Sequence, residues 1–133
     1  MISRFRVADH SMEPALQSGD IIICRRTRRP HRGSVVVFPH PRTRMTLVKR
    51  VVGLPGEKVA IDFGEVIIDG RDGVDLWGTG TTFPEGEWHL GPKEWFLLSD
   101  NRSATVDDSR GFGPVTLGGP PTMFWRMRLR GDR

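Results

Sequence analysis

The chain has 133 residues, with 20 Lys and Arg against 16 Asp and Glu, 16 Gly, 10 Pro and one cysteine, Cys24. A lone cysteine excludes an internal disulfide and suits a reducing compartment, so a cytoplasmic setting is expected. No run approaches the roughly 18 to 20 apolar residues that a spanning helix needs, and the basic opening Met1 to Val7 is too short for a secretory signal, so a chain without a transmembrane anchor is expected.

Taken in order, the chain reads as short apolar runs separated by Gly, Pro and Asp, with no sustained 3.6-residue periodicity. That pattern predicts a single domain over 1–133, mainly β, built of short antiparallel strands. Before the first run stands Ser11-Met12-Glu13-Pro14, where Pro14 biases Glu13 toward extended geometry and Met12 suits an apolar pocket. Gly19-Asp20 turns the chain into Ile21–Cys24, and further strands are expected at Val35–Phe38, Leu47–Val52, Val59–Phe63, Val66–Ile68, Trp95–Leu98 and Met123–Leu129. The stretch from Lys58 to Asp69 reads as a hairpin turning at Asp62-Phe63-Gly64. Cys24, Trp95 and Phe96 are expected in the core, and packing roles are favoured for Trp77 and Trp88 over covering a substrate groove.

Positive charge is clustered. Arg25-Arg26-Thr27-Arg28-Arg29-Pro30-His31-Arg32 forms a dense run, and Arg126, Arg128 and Arg130 share one face of the last strand, with Trp125, Met127 and Leu129 on the other. A solvated loop and a solvent-facing strand are the simplest reading, with peripheral contact to an anionic membrane the sharper one. Aromatic residues do not interleave with the loop arginines, which argues against nucleic acid. His10, His31, His40 and His89 lack the spacing of metal ligands, so neither a metal nor another cofactor is expected.

The chemistry centres on Ser11 and Lys49. A serine hydroxyl at neutral pH needs an adjacent base, and an unperturbed lysine is neutral in only about one molecule in 2,500 at pH 7. Burial depresses a lysine pKa strongly enough to change that. In Thr46-Leu47-Val48-Lys49-Arg50-Val51-Val52, strand alternation places Lys49 with Leu47 and Val51 and sends Arg50 to the other face.

Four blocks in order then carry a family resemblance: Ser11-Met12-Glu13-Pro14 with Leu16; Gly19-Asp20; Lys49-Arg50-Val51-Val52-Gly53-Leu54-Pro55-Gly56; and Asp100-Asn101-Arg102 followed by Asp108-Ser109-Arg110 and Gly113-Pro114-Val115. Together they resemble the type I signal peptidases, serine proteases with a Ser/Lys dyad and a compact β fold shared with LexA-type peptidases. The resemblance implies Ser11 as nucleophile and Lys49 as general base. It also implies that Asp100 and Asp108 buttress the site through ion pairs with arginines such as Arg50 and Arg110. A precursor protein with an N-terminal leader is the partner implied, with small side chains before the cut. The compact layout, without anchor or large cap domain, resembles the soluble proteases that mature nickel-type superoxide dismutase.

The chain departs from the family pattern at three points. Asp9 stands two residues before the nucleophile, where the family has a small residue or a serine that helps hold the oxyanion; either Asp9 turns away from the site or it is protonated there. One extra residue lies between Arg102 and Asp108, so Ser103 or Thr105 is left to supply the hydroxyl that orients the lysine, with Thr105 preferred. Ser99 replaces a glycine, a mild local change. Two competing readings remain. A LexA-type self-cleaving peptidase needs a DNA-binding unit and a cleavage site before the serine, where only ten residues stand, and an inactive basic binding module on the same fold is kept open by Asp9.

Overall fold

The computed structural model describes residues 1–128. Its strands are β1 (Ile2–Arg6), β2 (Ile21–Arg26), β3 (Val35–Pro39), β4 (Thr46–Gly53), β5 (Lys58–Asp62), β6 (Glu65–Ile68), β7 (Gly86–His89), β8 (Glu94–Leu98), β9 (Val115–Thr116) and β10 (Pro121–Met127), with one helical turn, α1 (Ser109–Phe112). Seven strands form a sheet in the order β1-β2-β10-β3-β4-β8-β9, and three form a second in the order β6-β5-β7. Every pairing between these strands is antiparallel. The mainly β expectation therefore holds, and strands occupy all seven anticipated runs.

Burial explains why some runs are continuous and others alternate. On β3, Val35 and Val37 join a core cluster with Val7, Met12, Leu16, Ile22 and Cys24, while Val36 and Phe38 join another with Val51, Trp95 and Leu97. A strand covered on both faces must be apolar at every position. A third cluster lies where the two sheets meet and takes Val52, Phe96 and Leu98 from the large sheet and Val59, Ile61, Val66 and Ile68 from the hairpin. Trp88 packs against it, with its ring 4.7 Å from that of Phe96, so Trp88 has a packing role.

The hairpin pairs Asp62 with Glu65 and turns through Phe63 and Gly64, both at positive φ (49° and 78°), as a two-residue turn matched to strand twist requires. Three strands lay outside the sequence expectation. The inner face of β1 contributes only Ser3 and Phe5, β7 carries no apolar run, and β9 has two residues. The last strand starts at Pro121, earlier than expected, and has a register shift between Met123 and Trp125. Leu129 and Arg130 lie outside the described residues.

The basic run is not one solvated unit. Arg32 donates two hydrogen bonds to Glu57 (2.7 and 2.6 Å) and one to the Val52 carbonyl (2.9 Å), Arg26 reaches the Gly119 carbonyl, and Arg25 lies over the Phe124 ring. Arg28 and Arg29 are exposed. At the end of β10, Arg126 and Arg128 both approach the buried Asp20 carboxylate (3.8 and 3.1 Å), tying the last strand to the turn before β2.

Candidate active site

Lys49 lies in the middle of β4, opposite Val36 of β3, and is 2% exposed. Its Nζ donates to Ser11 Oγ at 3.1 Å, so residues 38 apart in the chain meet in a buried pair. Burial pushes the lysine pKa below its ordinary value. The carboxylates of Asp108, Asp9 and Asp107 act in the opposite direction, and Arg110 reinforces the depression.

The Ser11 backbone is held by the segment that follows β8. Asn101 N–H donates to the Ser11 carbonyl at 2.9 Å, and the Asn101 side-chain amide donates to the His10 carbonyl at 3.2 Å. Met12 is 1% exposed, and its sulfur accepts from Asp100 N–H at 3.5 Å. His10 turns to Glu13, 2.6 Å away, rather than to Ser11.

Two ion pairs lie on the segments that carry Lys49 and Ser11's partners. Arg50 binds Asp100 in bidentate fashion (2.9 and 2.6 Å) and also donates to the Gly33 carbonyl. Trp77 covers this pair, with the Arg50 guanidinium 5.6 Å from its ring centroid. Gly33, at φ 93°, is the residue that permits this approach, because a Cβ there would sit 2.6 Å from the indole. Asp108 and Arg110 pair with both side chains fully buried (shortest contact 2.7 Å), and Asp108 also accepts from the Ser99 and Arg110 backbone N–H groups. Burial of such charges is tolerable only because each carries several partners.

One sequence expectation is corrected, and of the two alternatives open for Asp9 one falls away. Thr105 is not directed at Lys49: its hydroxyl accepts from Asp107 N–H (2.9 Å) and its carbonyl accepts from Arg110. Ser103 is exposed. The Thr105 hydroxyl thus closes a local turn with Asp107. Nor does Asp9 turn away. Its Oδ1 accepts from both the Ser11 N–H (3.1 Å) and the Ser11 hydroxyl (2.9 Å). An Asp two residues before a backbone N–H readily forms this local bond.

Asn101 and Arg102 contribute more than their place in a motif block indicates: Arg102 is fully buried at its side chain and joins Ser99, Asp75 and Thr82, pinning the Gly-rich loop to the site. Their adjacency to Asp100 was the available signal. His40 is buried against Asp107 (3.1 Å), with its other ring nitrogen accepting from the Arg42 and Thr43 N–H groups. The Ser99 hydroxyl is the only buried side-chain polar atom without a partner among the described residues.

Residues 1–119 match the family model described as signal peptidase, peptidase S26. The chain belongs to this family. It is 30% identical over 134 residues to the probable signal peptidase I-2 of Synechocystis sp., an alignment covering 90% of this chain and 61% of that protein. It is 28% identical over 137 residues to the signal peptidase I V of Bacillus subtilis, covering 84% and 76%. The crystal structure of a signal peptidase I from Enterococcus faecalis superposes with a TM-score of 0.57 at 25% identity, covering 69% of this chain and 93% of that one. The chain thus spans about three fifths of the Synechocystis relative's length. In this chain the Asp9 side chain sits on both the hydroxyl and the N–H of the candidate nucleophile.

Proposed function

We propose that this chain is a serine endopeptidase that removes an N-terminal leader or signal segment from a precursor protein, with Ser11 as nucleophile and Lys49 as general base. The observation that carries this reading is the 3.1 Å contact between Lys49 Nζ and Ser11 Oγ, with the lysine 98% removed from solvent by its 2% exposure. In the reacting state the neutral amine accepts the Ser11 proton across that contact while Oγ bonds to the scissile carbonyl carbon, whose π electrons move to its oxygen. Collapse of the adduct expels the new amino terminus with the proton from Lys49. Water then attacks the acyl-enzyme, activated by the same amine. Asp100, Arg50, Asp108 and Arg110 form the frame that holds the dyad in register. Residues 1–133 are read as one catalytic domain that carries this frame.

The substrate lies extended beside the exposed segment 8–10 that leads into Ser11, a mode in which main-chain hydrogen bonds give affinity and side-chain pockets give selectivity. A superoxide dismutase precursor of the nickel type, processed in the cytoplasm, is the specific substrate we favour on the resemblance of the compact layout. Peripheral contact with an anionic membrane is supported by one surface. Across β1, β2 and β10 the register aligns Arg4, Ile23 and Trp125, and beside them Arg6, Ile21 and Met127. Trp125 and Met127 are exposed (63% and 45%), so an apolar strip flanked by arginines faces outward.

Cleavage of that precursor and of generic leader peptides with small residues before the cut is measured with the wild-type chain and with Ser11→Ala. Cleavage by wild type and none by the folded variant is the expected result. Failure of wild type to cleave any of them, together with no acylation of Ser11, favours the binding-module reading.

A further inference from the structure

A nucleophile's own backbone N–H commonly supplies one donor to the oxyanion, and a donor works by standing about 2.7 to 3.1 Å from the place where that oxygen develops charge. Here the place is taken. Asp9 Oδ1 lies 3.1 Å from Ser11 N, at the distance the oxyanion itself would need. The same oxygen lies 2.9 Å from Ser11 Oγ, so the hydroxyl proton is directed to Asp9, while Lys49 donates to Oγ instead of accepting from it. Both features of the arrangement run opposite to what attack requires.

From this geometry we infer that Asp9 is a built-in brake: its carboxylate occupies the Ser11 oxyanion donor in the resting protein, and substrate must displace it before acylation. The inference rests on the Ser/Lys peptidase reading and adds to it a residue that sets the resting state. Three observations show how the brake releases. Asp9 is exposed, so its side chain can rotate into solvent without disturbing the core. The Ser11 backbone cannot follow, because Asn101 holds both the Ser11 and His10 carbonyls. Finally, Asp9 contacts the site only through Ser11, with no hydrogen bond to Lys49 or to an arginine among the described residues. The Asp9 charge also favours the protonated form of Lys49, which works in the same direction as the occupied donor.

The test is a graded series, Asp9→Asn, Asp9→Gly and Asp9→Ser, assayed by kcat/KM on a leader peptide and by affinity for a peptide aldehyde, which forms a tetrahedral adduct on Ser11. Asparagine keeps an acceptor but no charge, glycine removes both, and serine adds a donor. The expected order of kcat/KM is wild type, then asparagine, then glycine, then serine, with a gain of roughly ten- to a hundredfold for serine given what one oxyanion donor contributes. Aldehyde affinity should rise in parallel, a readout that a merely structural role would leave unmoved. Loss of activity in a folded glycine or serine variant overturns the brake and makes Asp9 a positioning group or base. Cleavage by wild type at an unchanged rate in all three variants also overturns it, while leaving the peptidase reading intact. If neither wild type nor any variant cleaves peptide or binds aldehyde, both fail; if only the variants do, the brake stands in its strongest form.

Discussion

Replacing Lys49 with methionine separates what the buried amine does for catalysis from what it costs the fold. Methionine keeps an unbranched chain of similar length beside Val36 and removes only the amine and its bond to Ser11. In the unfolded chain Lys49 titrates near 10.5, and burial holds it lower in the folded protein. Between those two values the unfolded state binds the extra proton, so wild-type stability rises with pH through that window, by up to about 1.4 kcal/mol per pH unit. Below the folded value both states are protonated and the protein carries the full penalty of a buried charge. Methionine carries none. Its stability advantage over wild type should therefore be greatest at pH values below the folded pKa and shrink steadily as pH approaches 10.5. The lost hydrogen bond to Ser11 offsets about 1 kcal/mol of that advantage at every pH. Urea unfolding followed by fluorescence of the four tryptophans, at intervals from about pH 6 to 10, measures the difference directly. In parallel, wild-type kcat/KM should climb with pH to a midpoint below 10.5, and the variant should lose on the order of 10⁴-fold, as removal of a general base within a cooperating dyad does. Wild-type turnover in the methionine variant, or a stability difference that is flat across the range, would refute the reasoning.

Asp108→Ala should leave the fully buried Arg110 guanidinium without its carboxylate and should cost about 3 to 5 kcal/mol, lowering the urea midpoint by about 1.5 to 2.5 M for a chain of this size. A loss below about 1 kcal/mol would mean the pair is not buried as described. Trp125→Ser should weaken sedimentation with phosphatidylserine-containing vesicles several-fold while leaving peptide cleavage in solution unchanged. Equal binding to neutral and anionic vesicles, or none to either, would remove the membrane contact from the proposed function.

Much of this site was legible before any fold was known. The four ordered blocks singled out Ser11 and Lys49, and both ion pairs, Arg50 with Asp100 and Arg110 with Asp108, form as the resemblance implied. The strand runs were legible because burial imposes its period on composition: two-sided cover makes Val35–Phe38 wholly apolar, and one-sided cover makes Lys58–Asp62 alternate. The Phe63-Gly64 turn announced itself through its glycine. β1, β7 and β9 did not, because each places at most two side chains against the core.

What only the tertiary structure decided is which partners meet. The insertion of β10 between β2 and β3 brings Arg126 and Arg128 to Asp20, more than a hundred residues earlier in the chain, and no local pattern encodes that strand order. Thr105 and Asp9 show the same limit at short range. Thr105 had a hydroxyl in nearly the right place, but it accepts from the Asp107 N–H instead, and for Asp9 the rotamer set which of two alternatives holds by placing its carboxyl oxygen on Ser11. Periodicity reports which face of a strand is buried, because that depends on area averaged over several residues. Loop closure and single rotamers depend on individual hydrogen bonds worth about 1 kcal/mol each, which composition does not record.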